Sequence, residues 1–518
     1  MGAPSISSPA LAETLPGWWK PSITDLFFLI IMIWSFLLSP NGWVRFLLDG
    51  DVYMHARLGR YMIETGGAPT VDPASFAIPG ATWYAFEWLS EMLYGALEMR
   101  WGMGSIALLS GLLAGLTIAL MFYDALRRGG HLLIATLFML LAANAFNVHF
   151  HARPVLFTYL FAAITMLILN RDRETPTKLL YALPALTVLW VNLHPGVAVL
   201  FPLLGILAVA CGTWEGFRRY TAVGALCAAA TLLNPYGIGL HRHLLATLSS
   251  EWILNHATEY KSPEFRGEFM MCLAIIYLLG LASAGLFAVR KKYPEALWIL
   301  FLGYSTLVSR RHGALFLIVV TPLVVLEASR VWREFVAGQP RKSAAAILDR
   351  LWSGAGFAPT PWLPAFAALI VLLTPAIDGK PQPEIFPVDL TARNKALIES
   401  SRVYTTEQWA DFLYYENYPK QKIFMDPRHD LYAEKLGDAY LGVLEGAPGW
   451  RGILEQFQVN LMLVKADSVL DGLLDTDARW EKVDHDDVAV LYKKADTSAI
   501  ILQNEDRNSD AGGGRAGR

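Results

Sequence analysis

The sequence predicts an α-helical polytopic membrane protein with about eleven transmembrane helices and a soluble α/β domain at its C-terminal end. Three observations predict it. The 518 residues are 54% hydrophobic and only 17% charged, with a mean hydropathy of +0.36. Apolar runs of roughly twenty residues, the length that crosses a bilayer, recur from Ile23 to about Ala376. Beyond Ala376 the runs become short and alternate with amphipathic stretches, the pattern of a soluble α/β domain. A net charge of −3 supplies no basic field for nucleic acid.

Spans are expected near 23–39, 105–123, 132–148, 154–169, 179–193, 196–212, 220–233, 269–288, 295–308, 313–328 and 361–376. The stretch Ile23–Ser39 has no small-residue cleavage site and reads as a first anchor after a cytoplasmic N-terminus, 1–22. Arg127-Arg128, Arg171, Arg173, Arg218-Arg219 and Arg290–Lys292 fall on alternate turns, which the positive-inside rule places in the cytoplasm. The transmembrane module is then 23–376, with a first outside loop over 40–104. The Pro-rich segment 377–387 reads as a linker, 388–495 as an extracytoplasmic α/β domain and the Gly-rich 496–518 as a disordered tail. Within the α/β domain strands are expected at Lys422–Met425, Leu461–Val464 and Val488–Tyr492. Helices are expected near Thr406–Glu416, Leu431–Leu444 and Trp450–Phe457. Cys211, Cys227 and Cys272 lie in apolar runs and read as small buried hydrophobes.

The polar residues that interrupt this pattern gather on the outward turns. The first outside loop opens with Asp49-Gly50-Asp51, followed by His55, Arg57 and Arg60. Later turns add His149, His151, Arg153, His194, Lys261, Arg310, Arg311 and His312. Interfacial anchoring does not predict Arg and His on the side where positive charge is depleted. A transporter would carry its ionisable groups in mid-span, and those positions are nearly free of charge. An active site at the outer face, with carboxylates on one loop and cations around an anionic headgroup, accounts for both.

At Asp49–His55 (DGDVYMH) the sequence resembles the first outside loop of the GT-C superfamily, integral membrane glycosyltransferases that use polyprenyl-phosphate-linked sugars. Further stretches resemble a bacterial branch: His151–Pro154, Trp190–Gly196 (WVNLHPG), Asn234–Gly237, Glu259–Pro263 (EYKSP) and Phe424–Tyr432 (FMDPRHDLY). The resemblance covers most of residues 20–495. It implies a GT-C-like transmembrane module, with an amphipathic helix over Thr82–Leu97 lying along the membrane. It also implies residence in the bacterial cytoplasmic membrane, a polyprenyl-phosphate-linked sugar as donor, and a glycan, lipid or protein of the cell envelope as acceptor. The soluble domain is unlike the large domains of oligosaccharyltransferases, which weighs against that subgroup.

The resemblance maps the acidic motif to Asp49 and Asp51, with Asp51 as general base. An Asp just before Val52–Ile63 would equally serve as a helix N-cap. Glu87 is a candidate second acid or a structural partner of an Arg. Arg153, Arg310, Arg311 and Lys261 are candidates for the leaving phosphate, against snorkelling to headgroups. His55, four residues after Asp51, shares its helix face, and His149, His151 and His194 could orient sugar hydroxyls. Neutral His beside Asp also suits a divalent metal, although the spacing assigns no ligand set. The segment Asp426–Asp430 reads as a turn. The rival class is a non-catalytic membrane protein that binds lipid-linked saccharide or scaffolds an envelope assembly.

Overall fold

The computed structural model describes residues 20–38, 42–149, 151–351, 356–373 and 379–495. The expected tail, 496–518, and most of the expected N-terminal segment lie outside the described residues. The chain divides into two compact units that interleave in sequence. Unit 1 holds 1–47, 86–241 and 257–379, and unit 2 holds 48–85, 242–256 and 380–518.

Unit 1 is helical. Among the described residues, four of its helices are long and apolar enough to cross a membrane: Met103–Arg127, Val155–Glu174, Glu268–Val289 and Arg310–Ala337. This corrects the expected fold class of about eleven transmembrane helices. The other seven apolar runs form shorter helices, from 11 residues in Ile23–Ile33, Leu183–Leu193 and Leu200–Ala210 to 17 in Trp214–Ala230. At about 1.5 Å per residue even the longest of these falls short of a hydrocarbon core of about 30 Å. The physical cause is local. Turns of 3-10 helix at Lys178–Ala182 and Pro195–Val199 take up residues that hydropathy alone assigns to α-helix. Pro195 follows His194, whose extended backbone ends the helix Leu183–Leu193.

The helix Val155–Glu174 joins two charged clusters of opposite character. At its C-terminal end Asp124 accepts from Asn170 at 2.7 Å and from Arg127 at 3.1 Å, and Arg173 donates to Glu295 at 2.8 Å. Arg127 also pairs with Glu174, and Arg219 pairs with Asp172. Cations that the sequence offers as topological signals are therefore neutralised inside the protein. At the N-terminal end of the same helix the balance is different, as described below.

Unit 2 carries a four-stranded sheet of order β1-β2-β4-β3, formed by Val403–Tyr404 (β1), Leu461–Lys465 (β2), Trp480–His485 (β3) and Ala489–Lys494 (β4). β1 and β2 are parallel, and β4 runs antiparallel to both β2 and β3. β2 and β4 carry the apolar runs Leu461–Val464 and Ala489–Tyr492 and are buried there. β3 is a charged, mostly exposed edge without a hydrophobic run, so its sequence lacks a strand signature. The run Lys422–Met425, expected as a strand, makes only an isolated bridge from Ile423 to Ser75. Its pairing partner is thus a segment some 350 residues earlier (|i−j| = 349 for the bond from Ser75 Oγ to the Phe424 carbonyl).

The helix Asp51–Thr65 packs on Glu407–Asn417. It stops at Gly66, whose φ of +84° is the left-handed conformation glycine tolerates and whose N–H caps the Met62 carbonyl at 2.9 Å. The segment 242–256 is fixed within the same unit by a 2.9 Å bond between His243 and Asp430, and by Trp252 edge-on to His429.

Candidate active site

The predicted site residues fall into one group in unit 2 and two in unit 1. In unit 2, Asp49 and Asp51 occupy the start of the helix Asp51–Thr65. Asp51 is the first helical residue, and its N–H is met by Asp49 Oδ1 at 3.3 Å. Asp49 thus satisfies one of the amides at the start of the helix. Asp51 and His55 are both buried, 8% and 6% exposed, on one helical turn. Gly50 between the acids touches the helix Glu407–Asn417: a Cβ there would lie 2.5 Å from the Gln408 carbonyl oxygen. Gln408 in turn donates from Nε2 to the Leu48 carbonyl at 3.3 Å.

The segment Asp426–Asp430, expected as a turn, forms a buried ion-pair core with Asp72 and Tyr432. Arg428 donates to both oxygens of Asp426, at 2.6 to 3.0 Å, and to Asp72 at 2.8 Å. Its guanidinium lies 4.4 Å from the Trp83 ring centroid, and Tyr432 accepts a further bond at 3.0 Å. Burial works against its charge, but Asp426, Tyr432 and Asp72 outweigh it and hold Arg428 protonated. These contacts tie the loop 66–85 to the C-terminal part of unit 2.

In unit 1, Glu87 stands at the N-cap of the helix Trp88–Trp101, so the helix expected over Thr82–Leu97 begins later. Thr82 is bridged to Val71 and the Trp83 N–H reaches the Thr70 carbonyl, which holds that stretch extended. Glu87 Oε1 lies 3.3 Å from His194 Nε2. The Gly196 N–H donates to His194 Nδ1 at 2.9 Å, and a backbone amide can only donate. Nδ1 is therefore the acceptor, and the ring proton sits on Nε2, facing Glu87. Thr158, 2.9 Å from Nδ1, is itself held by Trp190 at 2.8 Å. Glu87 is thus a partner of His194. Beside it lies a cleft of about 600 Å³ whose lining includes Trp88, Leu189, Asn192 and Asn234. Trp88 donates to Asn192 at 2.9 Å at its edge. Arg153, Arg310 and Arg311 do not line it.

The remaining predicted cations converge at the N-terminal end of the helix Val155–Glu174. The Arg310 N–H bonds the Lys261 carbonyl at 3.0 Å, and Ser309 bonds the Glu259 carbonyl at 2.8 Å, which joins the turns 258–261 and 309–312. Arg311 lies over the Tyr260 ring at 4.5 Å and 3.6 Å from Glu259. Burial, then the charges of Arg310 and His151, push the His149 imidazole down to about 4, with Arg153 acting in the same sense. Arg153, Arg310, His149 and His151 thus share one electrostatic neighbourhood, in which Glu259 is the opposing carboxylate. Lys261 is exposed at its margin.

Among the described residues, none of Asp49, Asp51, His149, His151 and His194 belongs to a group of three side chains gathered at metal-ligand spacing.

Sequence reasoning passed over Asp411, which burial, then Asp426, Asp51 and Asp49, push well above the usual carboxylate range. An acid inside the run Trp409–Tyr415 was the available signal.

No protein-family model and no curated protein matches the sequence. Solved structures do. The archaeal oligosaccharyltransferase AglB from Archaeoglobus fulgidus, in complex with an inhibitory peptide and a dolichol-phosphate, aligns with a TM-score of 0.57 at 12% identity. The alignment covers 85% of this chain and 69% of that one. The chain shares its fold. ArnT from Cupriavidus metallidurans aligns in the apo state with a TM-score of 0.48 at 12% identity, over 90% of this chain and 95% of that chain. Bound to undecaprenyl phosphate it aligns at 0.47 and 14% identity, over 92% and 97%. At the level of overall fold, the GT-C resemblance drawn from the sequence agrees with the match to AglB.

Proposed function

We propose that this protein is a membrane glycosyltransferase of GT-C type, which moves a sugar from a polyprenyl-phosphate donor to an acceptor of the cell envelope. The observation that carries the reading is the gathering of cations at one end of unit 1, where Arg153, Arg310 and Arg311, with Lys261 at the margin, lie about Glu259. Such a gathering suits a phosphate, which Arg recognises through charge-assisted hydrogen bonds. The fold shared with AglB supports the same reading.

In the reaction, a carboxylate takes the acceptor hydroxyl's proton as the acceptor oxygen bonds to the sugar's anomeric carbon. The bond from that carbon to the phosphate oxygen breaks, and the phosphate leaves with both electrons. Asp51 is the base. It sits at a helix N-terminus, where a carboxylate is stabilised, two residues on from Asp49, which accepts its N–H. Arg153 and Arg310 take up the negative charge on the leaving phosphate. His149, kept neutral, can donate or accept with a sugar hydroxyl, and His194 orients Glu87. The membrane is the bacterial cytoplasmic membrane, with the acidic motif on its outer side.

The test is mass spectrometry of envelope glycans, lipids and glycoproteins from cells with and without the protein. A glycan that loses one sugar in its absence, restored by the wild-type gene and not by an Asp51→Asn copy, is the expected result. Restoration by the Asp51→Asn copy would favour a non-catalytic role.

A further inference from the structure

The helix Glu407–Asn417 carries Asp411 on its buried side, 0% exposed, beside Trp409, Ala410, Phe412, Leu413 and Tyr414, which are buried too. Both of its carboxylate oxygens are shut away from solvent with no hydrogen-bond partner among the described residues. An ionised carboxylate in that position would lose its hydration and gain no bond in return, so the group is held as the neutral acid.

Its neighbours point to a role. Gln408 lies three residues earlier, on the same helix face, and it is the residue that grips Leu48 and packs on Gly50. Asp411 therefore stands one turn along from the contact that seats the acidic motif. The charged groups around it come from three places: Asp49 and Asp51 of the motif, Asp426 with Arg428, and Tyr440 of the helix Asp438–Leu444, which feels Asp411 in return. Asp426 is bonded to Arg428. An ionised Asp411 would meet the charges of Asp426, Asp51 and Asp49.

We propose that Asp411 is a positioning residue for the acidic motif, an uncharged carboxylic acid that keeps Asp49 and Asp51 seated. The proposal rests on the reading of Asp51 as base. When Asp411 gives its proton to solvent, its charge joins those of Asp49 and Asp51 across a helix–helix contact. Uptake of a proton by Asp51, or opening of the contact, then removes the base.

Asp411→Asn tests this on the full-length protein, because Asn is neutral at every pH; Asp411→Ser is a second neutral variant should Asn not be accommodated. Two readouts are taken across the pH range. The first is transfer from a panel of labelled polyprenyl-phosphate hexoses and pentoses in membranes containing the protein. The second is the thermal midpoint of the purified protein. Because the native value is raised, wild-type stability should fall as pH rises from about 4, the ordinary Asp value, through the native one, and the neutral variant should lack that step. The alkaline decline of transfer should move up by about one pH unit or more in the variant. An unchanged stability profile overturns the neutral state of Asp411. A lost stability step with an unmoved transfer profile overturns its link to the motif. Failure of Asp51 as base is recognised separately, by an Asp51→Asn protein that still turns over, and it leaves the stability step intact.

Discussion

Gly50 and Gln408 touch so closely that a single added carbon on Gly50 would sit 2.5 Å from the Gln408 carbonyl oxygen and 2.9 Å from its Cγ. The glycine between the two acids of the motif is there for room, since its φ of −58° is open to any residue. Gly50→Ala should cost about 1–3 kcal/mol, as overpacking does, and should lower transfer by moving Asp51. Chemical denaturation and turnover of the same preparation check it. A variant of wild-type stability would show that the helix can yield.

Arg428→Met should be among the most destabilising single changes in unit 2. It leaves Asp426 and Asp72, both 0% exposed at the side chain, without their cation. Removing one partner of a buried ion pair typically costs about 3–5 kcal/mol. Denaturant titration of the full-length protein reads the loss, and a shift under about 1 kcal/mol would mean that water reaches these acids.

The cations of unit 1 should not be equivalent. Arg310→Ala or Arg153→Ala should weaken polyprenyl-phosphate binding by roughly 10- to 150-fold, from about 1.5–3 kcal/mol for a charge-assisted contact. Arg311→Ala should cost less, because Glu259 and Tyr260 already engage that guanidinium. Binding of undecaprenyl phosphate to detergent-solubilised variants ranks them. Equal affinity in all three would remove the cluster from the donor site.

His149 gives a pH signature of the opposite sign to Asp411. Its native value, about 4, lies below the ordinary value near 6.5. The unfolded chain therefore binds a proton first as pH falls, and stability should drop between about 6.5 and 4. His149→Gln should flatten that window while leaving the alkaline side alone. An unchanged acid limb would place its origin elsewhere.

How much was legible in the sequence follows from which signals are local. The DGD motif, the Arg310-Arg311 pair and the apolar strands β2 and β4 are local patterns, found at a helix start, on a 3-10 turn and in the sheet. The span count failed because hydropathy does not see 3-10 turns such as Pro195–Val199 or a break at His194. Arg428 and Ile423 were opaque for a different reason: their partners, Asp72 and Ser75, lie hundreds of residues away in sequence. Asp411 escaped because helical periodicity excuses one polar residue per turn, and only packing reveals which side of the helix it occupies.

The central claim is that Asp51 removes the acceptor's proton, and Asp51→Asn tests it most directly. Asn keeps the shape of Asp and caps a helix nearly as well, so loss of a cap does not mimic loss of a base. General-base catalysis contributes about 10²–10⁴-fold. The measurement is single-turnover transfer from a labelled polyprenyl-phosphate sugar by wild-type and Asp51→Asn protein of matched thermal stability. A drop of about 10²–10⁴ with donor binding unchanged is the predicted result, and near-normal transfer by the folded variant would contradict the account.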